Sequence, residues 1–409
     1  MGDFHQNGII ATMHNLSRRS TTDLERELID FSRQRLMGLI LPSLYSELET
    51  PALENIVREL SRVPYLNEII VGLDRADEAQ YRHALTFFDR LPQHHRVLWH
   101  DGPRLRALDA LLDKHGLAPG APGEGRNVWY CYGYALATGR ADAIALHDCD
   151  IKTYKRDLLA RLIYPVANPS FNFEFSKGFY PRFTDSSLGG RVTRLLVTPL
   201  ILAMRTVCGR SEYLDFLNSF RYPLAGEFAI RRNMITDLRI PTDWGLEMGM
   251  LSEMHRSLTN NRICQVDIAD RYDHKHQVLS PEDATRGLSK MSVDISKAMF
   301  RKLAIQGETF SQERIRTVKA TYYRIALDLV ETFEADASMN GINYDSHAEE
   351  QAVELFAANV VSAGTDFLEN PMDTPFLSPW KRVVSAVPEI FEELRGAVEA
   401  DVDEFKASA

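Results

Sequence analysis

The stretch DAIALHDCDIKTYKRD, Asp142 to Asp157, decides the fold. Its opening run of small and apolar residues ends on two carboxylates, Asp148 and Asp150, on either side of Cys149. The run DAIALHD (142–148) reads as a buried strand, and alternation along an extended chain puts both Asp side chains on one side, their Cα atoms about 7 Å apart. Two carboxylates at a strand end suit a hard divalent cation, Mg²⁺ or Mn²⁺, which takes oxygen ligands while bridging substrate phosphates. The same triplet also suits an ordinary strand end whose acids cap the next helix. His147, beside the pair, reads as a packed or hydrogen-bonded histidine rather than a ligand.

Upstream, LMGLILPS (36–43), NEIIVGLD (67–74) and HRVLWHD (95–101) are further strand candidates. Between the first two, TPALENIVRELSRV (50–63) has helical spacing at Leu53, Ile56, Val57 and Leu60, with Thr50 as N-cap and Pro51 at the first helical position. Strands alternating with helices predict an α/β fold with a largely parallel sheet, and in such sheets ligands collect at the carboxyl ends of the strands. The segments after Leu41 and after Leu146 both end there. The stretch GLAPGAPGEGRN (116–127), with four Gly and two Pro before Arg126, reads as a surface loop without regular structure.

Downstream, GGRVTRLLVTPLILAM (189–204) places two glycines before an Arg and a Thr at a helix start. Exposed backbone N–H groups, the positive end of the dipole, the Arg191 fork and the Thr193 hydroxyl make a candidate anion site, or the ordinary start of an amphipathic helix. In YPLAGEFAIRR (222–232) and PTDWGLEMGML (241–251), Glu227, Asp243 and Glu247 are acids among apolar residues, a costly setting unless they are bonded or functional. Asp243 also suits a cap. In RYDHKHQ (271–277), His274 or His276 would complete a carboxylate-held metal site and Arg271 or Lys275 would lie near phosphates; a solvated charged loop fits the same residues.

From Ser280 the texture changes. SPEDATRGLSKMSVDISKAMFRKLA (280–304) opens with Ser280 as cap, Pro281 at the first helical position and Glu282 and Asp283 in the first turn. Helical spacing then runs to Ala409, broken at 335–346 and 369–379. A helical C-terminal region is expected, packed on the α/β domain or on a partner subunit.

The 409 residues, 44% of them hydrophobic, suffice for a large core. With 47 basic against 57 acidic residues the net charge is -10, which argues against a nucleic-acid groove. Four scattered cysteines show neither zinc spacing nor a disulfide framework, and the reading is a reducing cytoplasm. No apolar run is long enough to span a membrane. MGDFHQNGIIATMHNLSRRS, at the start, has no signal-peptide core and reads as a flexible or loosely packed arm.

Taken in order, LPSLYSELET (41–50), HDCD (147–150), KGFYPR (177–182), GGRVTRLLVTPL (189–200), PLAGE (223–227), DWGLEMGML (243–251) and DHKH (273–276) resemble the retaining glucosyl-3-phosphoglycerate synthase family of GT-A fold glycosyltransferases. The likeness spans about Leu41 to Gln277. It implies a GT-A type, Rossmann-like nucleotide-sugar-binding domain over 36–280, preceded by an N-terminal arm and helix (1–35) and followed by a mostly helical region (281–409).

The resemblance also implies roles. Pro42, Ser43, Leu44 and Glu47 line the base pocket, with Asp74 near the base or ribose and Cys149 beside the donor. Asp150, supported by Asp148 and completed by His274, holds Mg²⁺ or Mn²⁺ on the diphosphate. Gly190, Arg191 and Thr193 bind the acceptor's phosphate. Leu224 lends backbone near the sugar, and Glu247 contacts the donor sugar or the acceptor hydroxyl. The implied reaction is transfer of glucose from UDP- or GDP-glucose to the 2-hydroxyl of 3-phosphoglycerate with retention. A mannosyl donor, free glycerate as acceptor, or a non-catalytic nucleotide-sugar-binding protein are the alternatives. Separately, the apolar faces of the helical tail suit a homodimer, and intramolecular packing explains the same faces.

Three positions depart from the family pattern. Gly123-Glu124-Gly125 replaces a Gly-Lys-Gly run, so Arg126 takes the lysine's part or the nucleotide preference differs. Ala225 replaces a glycine, and GLDRAD (72–77) lacks the Ser-Gly-Ser that follows the aspartate.

Overall fold

A computed structural model describes residues 6, 8–16, 19–184, 187–242, 245–274, 287–371 and 376–406. Among them, β1 (Ala11–Met13), β2 (Met37–Leu44), β3 (Leu66–Asp74), β4 (His95–Trp99), β5 (Ala143–Leu146), β6 (Phe175–Phe179), β7 (Phe228–Arg231) and β8 (Ile263–Asp267) form one sheet in the order β1-β8-β6-β7-β5-β2-β3-β4. Every pairing is parallel except those of β7, which runs against both β5 and β6.

Helices cover both faces, so the central strands are apolar on both sides. Leu39 and Leu41 of β2 join the core on one face and Ile40 the core on the other. Each such fully buried aliphatic side chain contributes roughly 1.5–3 kcal/mol. The helix Pro51–Leu60 forms as its signals predict, Thr50 Oγ1 accepting from the Leu53 N–H and Pro51 in the first turn.

Two local expectations are corrected. The 116–127 stretch is not loop throughout: a helix runs Glu124–Thr138, and Arg126 and Asn127 are buried in it. Gly125 serves close packing there rather than a turn, since a Cβ at that position would lie 1.9 Å from the Pro241 carbonyl oxygen. Among its described residues the N-terminal segment is not a loose arm. Residues 11–13 add β1 to the sheet edge beside β8, Gln265 Nε2 donates to Thr12 Oγ1 at 3.0 Å, and the helix Thr21–Ser32 packs on the helix Arg156–Ala167. Three residues are too short a strand for a period to register.

Helices Gly287–Ile305 and Gln312–Met339 both pack on Ser346–Glu369, and Gln312–Met339 packs also on Thr198–Cys208. The final helix, Ile390–Lys406, returns across β4 and the helices Pro103–Lys114 and Glu124–Thr138, where Arg96 Nε meets Glu399 at 2.7 Å. The C-terminal region thus packs on the α/β domain. The start of its first helix as read from Ser280, Pro281, Glu282 and Asp283 lies outside the described residues, as do Asp243, Lys275 and His276. No described helix is long and apolar enough to cross a membrane.

Candidate active site

In the sheet order, β3 and β4 lie to one side of β2 and β5 to the other, so the connections leave β2 and β5 in opposite directions and open a crevice at their carboxyl ends. A cavity of about 1280 Å³ lies there. Pro42, Ser43, Leu44, Glu47, Asp74, Asp148, Cys149, Asp150, Gly190, Arg191, Thr193, Leu224, Glu247 and His274 all line it.

Arg126 is placed otherwise and does not line the cavity. Its guanidinium pairs with Asp109 and lies over the Tyr130 ring, 5.6 Å from the centroid. Because the helix starts at Glu124, Glu124 and Asn127 share the cavity face while Arg126 turns inward. Asn127, which the sequence did not single out, donates from Nδ2 to Asp74 Oδ2 and to the Gly72 carbonyl, both at 2.9 Å, and so fixes the Asp74 carboxylate at the end of β3. Next to it Arg75, also on the cavity wall, holds a left-handed backbone (φ 57°).

Ligand atoms of Asp148, Asp150 and His274 lie within 4.8 Å of one another, with His274 Nδ1 3.6 Å from Asp150 Oδ1. The distant histidine is brought there by the backbone: the Lys152 N–H donates to the Asp273 carbonyl (2.9 Å), and the Asp273 N–H donates to Thr153 Oγ1 (3.1 Å). Two carboxylates and an imidazole converging on one point fit a divalent cation of the Mg²⁺ or Mn²⁺ type. His147 is fully buried against Tyr154, ring centroids 5.4 Å apart, and burial pushes its pKa down to about 3.

Around this cluster the carboxylates crowd. Asp148 is half-buried and Glu124 exposed on the cavity wall, and desolvation by the surrounding walls, then the neighbouring acids, push both carboxyl groups up. Glu247, in the first turn of the helix Leu246–Ser257, is raised by burial against the opposing charge of Lys177. Lys177 itself is buried, its pKa lowered to about 8 by desolvation, and its ammonium donates to the Ala225 carbonyl. That bond pins the turn carrying Leu224 and Gly226. Glu227 does not line the cavity and accepts from the hydroxyls of Tyr180 (2.7 Å) and Tyr272, two rings stacked 3.7 Å apart.

At Gly190 the backbone is left-handed (φ 69°), and the helical run that follows begins at Arg191 with a π-helical turn over Thr193–Val197. Arg191 Nε donates to Glu349 Oε1 at 3.0 Å, so the expected anion-binding guanidinium already holds one internal carboxylate. Periodicity reads Glu349 only as an acid in a helix's first turn, so nothing in the sequence connects it to the cavity.

No family model matches the chain. Glucosyl-3-phosphoglycerate synthase of Persephonella marina is 46% identical to it over 401 residues, covering 98% of this chain and 99% of that one. The chain belongs to the glucosyl-3-phosphoglycerate synthase family. Its counterpart from Methanococcoides burtonii is 37% identical over 407 residues, with 98% and 99% covered. Members of the family are glycosyltransferases. A crystal structure of the Mycobacterium tuberculosis enzyme with Mn²⁺, UDP and glucosyl-3-phosphoglycerate superposes with a TM-score of 0.52 at 22% identity, covering 72% of this chain and 87% of that one. Another, with Mg²⁺ and UDP, gives 0.52 over 72% and 86%. The likeness bears on the fold, which is the GT-A type α/β architecture expected from the sequence.

Proposed function

We propose that this protein transfers glucose from a nucleoside-diphosphate donor to the 2-hydroxyl of 3-phosphoglycerate with retention of configuration. One observation carries the reading: a single cavity holds both the Asp148, Asp150 and His274 cluster and the helix start at Gly190, Arg191 and Thr193. The near-full-length relatives are named as glucosyl-3-phosphoglycerate synthases, and Mycobacterium tuberculosis structures hold UDP-glucose with phosphoglyceric acid, which supports UDP-glucose as donor.

In this reading Pro42, Ser43, Leu44, Glu47 and Asp74 seat the base and ribose, and Cys149 packs beside them. Asp148, Asp150 and His274 hold the divalent cation, which when bound neutralises charge on the departing diphosphate as a Lewis acid. Gly190, Arg191 and Thr193 take the acceptor's phosphate through backbone N–H, guanidinium and hydroxyl. Glu247 orients a sugar or acceptor hydroxyl, and the Leu224 backbone lies against the sugar. Glu227 is engaged by two tyrosine hydroxyls and is not free to act as a nucleophile, which supports same-face attack in which the leaving phosphate accepts the acceptor's proton.

The reading extends to a homodimer in the reducing cytoplasm. Free thiols at Cys131, Cys149, Cys208 and Cys264 support the compartment, and sedimentation at twice the chain's mass tests the dimer. The reaction is tested by supplying Mg²⁺ and 3-phosphoglycerate with UDP-glucose, GDP-glucose or GDP-mannose, then repeating with glycerate. Turnover is expected with UDP-glucose and 3-phosphoglycerate; turnover only with glycerate or mannose overturns the assignment. Asp150→Ala and His274→Ala are each expected to lower turnover at least about 100-fold with an unchanged melting curve; unchanged activity sinks the metal assignment.

A further inference from the structure

Glu349 stands in the first turn of the helix Ser346–Glu369, more than 150 residues from the anion-site helix it touches. It is 4% exposed, yet it makes two charge-assisted contacts: Arg191 Nε to Oε1 at 3.0 Å and Arg194 Nη2 to Oε2 at 2.9 Å. Arg194 is otherwise spent on structure, its Nε donating to the Gly189 carbonyl at 2.8 Å and its guanidinium lying 4.8 Å over the Phe333 ring. Arg191 is different: Glu349 is its one charged partner among the described residues, and its side chain stays 34% exposed on the cavity wall.

The same corner holds a buried polar atom that no described residue satisfies. Among the described residues Thr193 Oγ1, on a residue 5% exposed, has no hydrogen-bond partner, while the buried hydroxyl of Tyr344 faces the Arg194 guanidinium. Buried donors left without partners cost about 1–3 kcal/mol each, and a ligand rich in oxygen removes that cost. Tyr344 and Glu349 both come from the C-terminal helical region and both line the cavity.

We propose that the C-terminal helical region completes the acceptor pocket, with Glu349 as the positioning residue that holds the Arg191 guanidinium for the acceptor's phosphate or carboxylate. The inference rests on the acceptor role given above to Arg191. A carboxylate beside an anion site also repels the anion, and the two effects oppose. Orientation outweighs repulsion here, because Arg194 neutralises the Glu349 charge in place, whereas an unclamped arginine regains rotamer freedom that binding must remove.

The test is steady-state kinetics with Mg²⁺ and UDP-glucose on Arg191→Ala, Glu349→Ala, Glu349→Gln and the Arg191→Ala/Glu349→Ala double variant, each checked for an intact melting transition. Glu349→Ala is expected to raise the KM for 3-phosphoglycerate about tenfold while the donor KM and kcat stay within about twofold. The double variant is expected to bind the acceptor no worse than Arg191→Ala alone, as for residues acting through one another. Should Glu349→Ala not fold, Glu349→Gln, isosteric and keeping one acceptor oxygen, is expected to show the same selective rise at about threefold. Additive losses, equal losses for donor and acceptor, or an unchanged acceptor KM in a folded Glu349 variant while Arg191→Ala raises it, each overturn the role of Glu349. If Arg191→Ala itself leaves the acceptor KM unchanged, the acceptor assignment of Arg191 is what fails.

Discussion

Gly226 stands so close to Asp148 that a Cβ at position 226 would lie 2.6 Å from Asp148 Oδ2 and 2.7 Å from Oδ1. The topology imposes this. Because β7 runs against β5, with Phe228 opposite Leu146, the residue that leads into β7 comes to rest on the carboxylate that follows β5. Gly226→Ala is therefore expected to displace a short, movable carboxylate at little cost in stability while moving a proposed metal ligand. We predict a melting curve close to wild type, with Mn²⁺ affinity and turnover both falling at least about tenfold. Calorimetric Mn²⁺ titration beside an activity assay checks it; wild-type metal affinity contradicts it.

A second glycine supports the docking of the C-terminal region. Trp380 stacks on Trp129, centroids 4.1 Å apart and planes 17° from parallel, and a Cβ at Gly133 would lie 2.0 Å from its indole Cζ2. Alanine gains up to about 1 kcal/mol of helix propensity over glycine. Against that, overpacking a fully buried ring costs about 1–3 kcal/mol or more. Gly133→Ala is thus expected to be net destabilising, by about 1–2 kcal/mol in urea unfolding. A gain in stability would show that the ring yields.

Away from the cavity, Glu68 lies buried at the start of β3, accepting from Thr138 Oγ1 at 3.1 Å with Arg140 Nε 3.9 Å away. Burial, opposed by the Thr138 bond and Arg140, raises its pKa from 4.5 to about 7. The folded state therefore holds the proton more tightly than the unfolded one. Its contribution to stability is complete below pH 4.5 and is lost as pH rises through 7, a swing on the order of 3 kcal/mol. The neighbouring His94, pushed down to about 4 by burial, is neutral across that window. Glu68→Gln, permanently neutral, is expected to gain stability relative to wild type between pH 5 and pH 8. Urea unfolding at both values decides; an equal difference at both contradicts it.

The half of the fold from β2 to β5 is legible in the chain because parallel strands covered on both faces need no alternation and stand out as apolar runs. Asp148 and Asp150 are legible only in company, since two acids at a strand end also suit a cap and it is the ordered motifs around them that select the metal reading. Elsewhere the physical signal is weak or points the wrong way. Glycine and proline density hides the helix start at Glu124, because Gly125 is there for the Pro241 carbonyl and not for a turn. That start turns Arg126 onto Asp109 and gives its expected place to Glu124 and Asn127. Lys177 sits inside a strand whose pattern gives no hint of the carboxylates above it. Glu349 reaches Arg191 only through the packing of the helical region, a contact no local pattern records.

The central claim is that one cavity joins a cation-held donor to a phosphorylated acceptor. The most direct measurement is to incubate the purified protein with UDP-glucose, 3-phosphoglycerate and Mg²⁺, then follow product mass and anomeric configuration by mass spectrometry and NMR. The account predicts α-glucosyl-3-phosphoglycerate, lost on chelation and restored by Mg²⁺ or Mn²⁺. Product that forms undiminished in the chelator, or no glucosylated phosphoglycerate with any glucose donor, would contradict it.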